Sequence, residues 1–208
     1  KLTYLAEHPE PVEREQMLLL VPGSRQAELR DNLPEMLAAT AAYSQLGWRV
    51  VIAGAPGLTA ADYAPHLGKY GDTPILFGDT YGLMRRAHAA LVTSGTATLE
   101  AGLWGIPMVV CYRMGGRRIA RLIFERLFRV PYFSLVNLIL DRPAVPELLA
   151  DRAHSVQILS ILSHLIPEED HRRTDQLQAL AQLQELMGTE PSAPLAARAI
   201  LSYLHEAR

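Results

Sequence analysis

Residues 94–114 read SGTATLEAGLWGIPMVVCYRM, and this stretch decides the fold. Just ahead of it, residues 89–93 form a short apolar run of strand character. That run enters a Ser-Gly turn, which opens at once into a helix carrying Thr96, Thr98 and Glu100. The turn Trp104-Gly105-Ile106-Pro107 then leads into a second apolar strand, Met108 to Tyr112. Strand, glycine turn, helix, strand is a βαβ unit, whose two strands run parallel. Such a joint sets unpaired backbone N–H groups and the positive end of a helix dipole at the sheet's carboxyl edge. Ser94, Gly95 and Thr96 therefore read as a phosphate or pyrophosphate site, with Glu100 one turn on as a carboxylate able to take ribose hydroxyls. An ordinary strand–helix joint, with glycine as turn former and threonine as cap, is the other reading, and the residues alone leave both open.

Residues 17–25, MLLLVPGSR, follow the same plan: an apolar strand, a Pro-Gly turn, then Ser24 and Arg25 at a helix start. A guanidinium there offers a planar fork to a phosphate or a developing oxyanion, or else makes a surface ion pair. Short apolar strands are expected at about 17–21, 49–53, 74–77, 88–93 and 107–112, with helices at about 27–46, 59–69, 80–86 and 97–103. This alternation predicts an α/β, Rossmann-like, doubly wound parallel sheet with right-handed crossovers. Ligands of such sheets bind beyond the carboxyl ends of the strands. The turn residues gather at that edge: Gly23-Ser24-Arg25, Gly54-Ala55-Pro56-Gly57, Gly78-Asp79, Ser94-Gly95-Thr96 and Tyr112-Arg113.

Composition bounds the remaining classes. The 208 residues are 49% hydrophobic with a formal charge of -2, enough for one large core and without the basic excess of a nucleic-acid binder. The lone cysteine, Cys111, lies in a strand pattern, reads as a small buried hydrophobe, and fits a reduced cytoplasmic setting. No apolar run approaches the ~20 residues of a membrane span. No Asp/His/Glu spacing suggests a metal site, the nearest being Asp170-His171-Arg172, so neither metal nor cofactor is expected. Residues 1–16 read as a linker and 17–142 as the Rossmann-like domain; residues 143–208 read as added helices at about 145–150, 153–165, 171–187 and 194–206. In these helices Gln176, Gln178, Gln182 and Gln184 are expected on a solvated face. Asn137 interrupts an apolar run and should either cap a turn or contact a ligand, because an unpartnered buried amide is costly. Residues 116–130, GRRIARLIFERLFRV, form a basic amphipathic pattern that suits either an anionic membrane surface or a sheet-packing helix with a solvated basic face.

Six segments, in order and spacing, resemble the lipid A disaccharide synthases, sugar-nucleotide glycosyltransferases with two Rossmann-like halves (GT-B). They are LLLVPGSRQAEL with LPEML, VIAGAPG, ILFGDTY with LM, SGTATLEA, PMVVCYRM, and YFSLVNLIL followed by VPELL, and they cover residues 18–149. The resemblance implies that this chain is the C-terminal, donor-binding half, with residues 1–16 as the connection between halves. The N-terminal half, which in that family serves the acceptor and carries the proposed general base, has no counterpart in the sequence. The implied reaction transfers 2,3-diacylglucosamine from its UDP donor to 2,3-diacylglucosamine 1-phosphate. It inverts the anomeric centre without a metal, releases UDP, and takes place at the cytoplasmic face of the inner membrane. Carried over residue by residue, Arg25, Ser94, Gly95 and Thr96 would meet the phosphates, Ser24 and Thr98 would belong to the UDP-donor site, and Glu100 would take the ribose. Phe77 and Gly78 would lie by the uracil, Tyr112 and Arg113 beside the donor, and Arg25 and Asn137 nearest the chemistry. One departure is Ala150, where the family often has Gln after its PELL motif. Two other readings stay open: another UDP-sugar enzyme of this architecture, such as a peptidoglycan glucosaminyltransferase or a 2-epimerase, and a non-catalytic nucleotide-binding or assembly module.

Overall fold

A computed structural model describes residues 12–113 and 131–188, together with residues 197, 198, 200, 202 and 203 of a final helical stretch. In chain order the elements are β1 (Glu15–Val21), α1 (Gln26–Gln45), β2 (Arg49–Gly54), α2 (Ala60–Leu67), β3 (Ile75–Phe77), α3 (Thr80–Arg86) and β4 (Ala87–Thr93). There follow α4 (Thr96–Leu103), β5 (Met108–Tyr112), α5 (Leu135–Leu140), β6 (Glu147–Leu149), α6 (Ser155–Leu162) and α7 (His171–Met187). Six strands form one sheet in the order β3-β2-β1-β4-β5-β6, and every neighbouring pair is parallel. The α/β, Rossmann-like class expected from the alternation is the one observed.

Strand alternation sorts the core onto two faces. Leu18, Leu20, Ile52, Ala89, Leu91 and Val109 pack with Leu29, Leu33 and Met36 of α1, Tyr63 of α2, and Ile158 and Leu162 of α6. Met17, Leu19, Val51, Ala90, Val92 and Val110 face the other way, onto Leu83 and Met84 of α3, Ala101 of α4, Val136 of α5, and Leu180 and Leu183 of α7. All seven residues of β4 are buried. Cys111 is 1% exposed, and burial pushes its thiol pKa up, as suits a strand hydrophobe.

Three expectations are corrected. Of the helix expected at 145–150, residues 145–149 are not helical: Glu147, Leu148 and Leu149 pair with Val110, Cys111 and Tyr112 as a sixth strand, and Ala150 opens a short 3-10 turn. Pro146 disfavours helical geometry at Val145, and the Glu147 carboxylate accepts from the Phe133 N–H (3.0 Å) and the Ser134 N–H (2.8 Å). Gln176 does not face solvent. It is 3% exposed, its Oε1 accepts from Met108 N–H (2.5 Å), and its Nε2 donates to Met108 O (3.2 Å), so one amide serves the start of β5 much as a strand would. Gln178, Gln182 and Gln184 are exposed as expected, although Gln184 Nε2 donates to Leu103 O at 2.8 Å. Finally, β1 starts at Glu15, inside the expected linker. Most of the helix expected at 194–206 and the whole basic amphipathic stretch 116–130 lie outside the described residues.

The amino edge of the sheet is tied by a half-buried and a buried cation, Arg14 and Arg173. Arg14, just before β1, donates to Ala87 O (2.7 Å), Trp104 O (3.0 Å) and Gly105 O (2.9 Å). Burial, with the nearby Arg173 charge, lowers its pKa to about 10. Arg173 donates to His88 O (3.2 Å) and to Leu165 O. His88 Nε2 lies 2.8 Å from Ile166 O, so that nitrogen carries the proton, and the ring meets Trp48 edge-on at 5.0 Å. Burial depresses the His88 pKa below its ordinary 6.5. Above pH 6.5 the imidazole is neutral in both folded and unfolded chains. As the pH falls from there, the unfolded chain takes up a proton that the folded chain resists, so this stability is lost progressively down to the folded value. Urea unfolding of the native chain should therefore show stability falling as the pH drops below the ordinary histidine value of 6.5, and His88→Gln should flatten that slope; an equal slope in the variant would contradict the assignment.

Candidate functional site

A cavity of about 770 Å³ opens at the carboxyl edge of the sheet, walled by the loops that follow β1, β2, β3 and β4. Because β4 returns to pair with β1, the chain reverses direction across the sheet there, and loops on either side of such a reversal splay apart into a crevice. Three helix N-termini, those of α1, α3 and α4, border this crevice, and those of α1 and α4 are finished in opposite ways.

At α1 the end is closed by the chain itself. Gly23 has φ +111, a left-handed conformation that favours glycine, and a Cβ there would fall 2.3 Å from Glu28 Oε2. Glu28 fills the space. Its Oε2 accepts from the Ser24 N–H (2.8 Å) and the Arg25 N–H (3.3 Å), while its Oε1 meets Arg25 Nη1 at 2.8 Å. Only 15% of the Glu28 side chain is exposed, against 79% of Arg25, so the carboxylate is an inner prop and the guanidinium an outer arm. Both line the cavity.

At α4 the end is open. Gly95 has φ +147 and ψ −162, a region that is essentially glycine's alone. The helix has no side-chain cap and no acid in its first turn, and Gly95 and Thr96 are exposed in the cavity wall. Ser94 Oγ donates to Phe133 O (3.0 Å), steadying the turn. Glu100 lies one turn on, also in the wall. At the base, Thr93 is 3% exposed, and among the described residues its Oγ1 has no hydrogen-bond partner. An unpaired buried hydroxyl costs about 1–3 kcal/mol, which makes Thr93 an available partner at the foot of the site.

The remaining expected residues are placed less uniformly. Gly78 lines the cavity, but Phe77 is outside the lining, its ring over Gly54 and 5.9 Å edge-on from Tyr63. Thr98 is fully buried, and its hydroxyl donates to Gly95 O (2.8 Å), so it braces the turn instead of reaching a ligand. Tyr112 and Arg113 are also outside the lining. The Arg113 guanidinium pairs with Glu35, and its N–H donates to Asn32 Oδ1 (2.8 Å). Asn137, expected as a ligand contact, is instead a clip within the fold. Its Nδ2 donates to Val145 O (2.9 Å) and Glu147 Oε1 (2.8 Å), and its Oδ1 accepts from Val145 N–H (2.8 Å). It is 1% exposed and borders a separate cavity of about 730 Å³ between the β6 approach and α7. Glu28 and Thr93 were not singled out from the sequence; the four-residue span Arg25–Glu28 has the capping-box spacing that could have identified Glu28.

Among the described residues no three His, Cys, Asp or Glu side chains are grouped as metal ligands, and no helix is long and apolar enough to cross a membrane. The arrangement can hold an anionic group on the α4 amides with a cation at Arg25, and offers Glu100 to neighbouring hydroxyls.

Comparison with known proteins bears on the family and the fold. The family model described as lipid-A-disaccharide synthetase matches residues 7–200. A lipid-A-disaccharide synthase of Acidobacterium capsulatum is 35% identical over 85% of this chain and 47% of its own length. Those of Bradyrhizobium diazoefficiens and Myxococcus xanthus are 34% and 35% identical, each over 92% of this chain and 50% of their own. The chain thus spans about half the length of the curated relatives it matches. Among solved structures, the glycotransferase of kitacinnamycin aligns with a TM-score of 0.52 at 16% identity, over 91% of this chain and 44% of that one. A UDP-forming α,α-trehalose-phosphate synthase from Burkholderia xenovorans aligns at 0.51 and 14%, over 90% and 45%. At such identities these two show a shared fold. The match across residues 7–200, with the relatives at about one-third identity, makes this chain a member of the lipid-A-disaccharide synthetase family.

Proposed function

We propose that this chain is the donor-binding half of an inverting, metal-independent glycosyltransferase that makes the lipid A disaccharide. The substrates would be UDP-2,3-diacylglucosamine and 2,3-diacylglucosamine 1-phosphate. The observation that carries the reading is the cavity at the β1/β4 reversal, whose lining brings together an open helix N-terminus, an arginine and a carboxylate from the segments after β1 and β4.

In this reading the diphosphate sits on the α4 turn at Ser94, Gly95 and Thr96. Glu100 takes the ribose hydroxyls, and the uracil lies toward Gly78 and the loop after β2. A hydroxyl of the acceptor attacks the donor's anomeric carbon as the bond to the diphosphate oxygen breaks, so negative charge grows on the departing UDP. In this reading the helix-end amides and the Arg25 guanidinium would meet that charge, which would lower the barrier without reorganisation. The general base that removes the hydroxyl proton would come from the acceptor-binding half, outside this sequence. Tyr112 and Arg113 would act behind the site through α1, and Asn137 by holding the approach to β6. The basic stretch 116–130 would contact the membrane surface from which acylated substrates are drawn, a reading that rests on its sequence pattern alone.

Isothermal calorimetry with UDP tests this. Binding should persist in excess chelator, and Glu100→Ala should weaken it about tenfold or more, the effect of losing hydrogen bonds to a charged acceptor. Absence of binding, or an unaltered dissociation constant in the variant, would count against the donor site.

A further inference from the structure

The α1 and α4 ends at the cavity differ in one respect that bears on the role of Glu28. A helix N-terminus attracts anions because its first N–H groups are unpaired and the dipole is positive there. At the entry to α1 two N–H groups are already taken: Glu28 Oε2 accepts from the Ser24 N–H at 2.8 Å and from the N-cap Arg25 N–H at 3.3 Å. Gly23 leaves the room, since any Cβ would collide with that same oxygen. The second oxygen, Oε1, holds Arg25 Nη1 at 2.8 Å. Without that contact, an arginine side chain 79% exposed would sample many rotamers, and fixing it on a ligand would cost much of its conformational freedom.

We propose that Glu28 is a positioning residue for the transfer reaction: its carboxylate occupies the Ser24 and Arg25 N–H groups at the entry to α1 and holds the Arg25 guanidinium beside the cavity, so that a ligand's phosphates at α4 meet a cation already in place. This deepens the donor-site reading and rests on it. The α1 dipole and two amides offset the Glu28 charge, so the carboxylate guides the arginine with little repulsion toward the bound diphosphate.

A double-mutant cycle on UDP affinity tests the coupling. Arg25→Ala and Glu28→Ala should each weaken UDP binding by about tenfold. The double variant should be little weaker than Arg25→Ala, because Glu28 acts through Arg25. Glu28→Gln, which keeps the volume and one acceptor oxygen, should fall between native and Glu28→Ala, and serves if the alanine variant does not fold. An additive loss near a hundredfold, or tighter binding in Glu28→Ala, would overturn the proposal. A second measurement does not depend on the donor reading: NMR relaxation of the Arg25 Nε–H group in the ligand-free chain. Its order should drop in Glu28→Gln, and unchanged order would overturn the positioning role. If the native chain binds no UDP, the donor reading fails by itself, and the Arg25 relaxation still decides the role of Glu28.

Discussion

The parallel pairing of β1 with β4 is the constraint on which the site depends. In register, Leu18 to Val21 of β1 lie beside Ala89 to Val92 of β4, and the chain must cross the sheet to make that pairing. Both strands are buried in the middle of the sheet and both end at one edge, so their following turns are forced close together while their helices depart to opposite faces. The hydrophobic sorting of the two strands is thus also what sets an α1 end and an α4 end on either side of one crevice. Burial fixes the position, and the turn residues then decide the chemistry.

Helix α1 organises that edge beyond its own N-terminus. Glu28, Asn32 and Glu35 follow one another at helical spacing along one face, and each holds a different loop. Glu28 holds the turn after β1 through Ser24 and Arg25. Asn32 accepts from the Arg113 N–H at the end of β5, and its Nδ2 donates to Glu28 O at 2.9 Å. Glu35 pairs with the Arg113 guanidinium and accepts from the Ser155 N–H (2.8 Å) at the start of α6. This polar stripe lies beside the apolar stripe of Leu29, Leu33 and Met36, so one helix anchors the core and tethers the loop after β1, the end of β5 and the start of α6. Arg113 therefore belongs to the support behind the cavity and Arg25 to its wall.

Much of this was legible in the sequence where the cause is local. Five strands declared themselves as short apolar runs, four of them ending in glycine turns, and the Ser94-Gly95-Thr96 and Gly23-Ser24-Arg25 turns were found because a strand–turn–helix joint depends on neighbouring residues. What escaped depends on distant partners. Gln176 is polar in a polar helix and only its meeting with Met108, 68 residues away in the chain, buries it. The three residues of β6 are too few to show a period, and only pairing with β5 makes them a strand. Asn137 was correctly marked as needing partners, but its partners are the backbone of Val145 and the Glu147 carboxylate, not a ligand. Glu28 was hidden because a glutamate early in a helix is ordinary until its carboxylate is seen occupying an anion site.

Amide chemical-shift mapping by NMR during a UDP titration of the native chain tests the central claim, that one crevice at the β1/β4 reversal is the ligand site. The account predicts that the largest shifts fall on Ser94, Gly95, Thr96 and Ala97, with smaller ones at Ser24, Arg25, Ala55 and Gly78, all in or beside the same cavity. Shifts centred on the second cavity, around Arg142, His164 and Arg172, would contradict it.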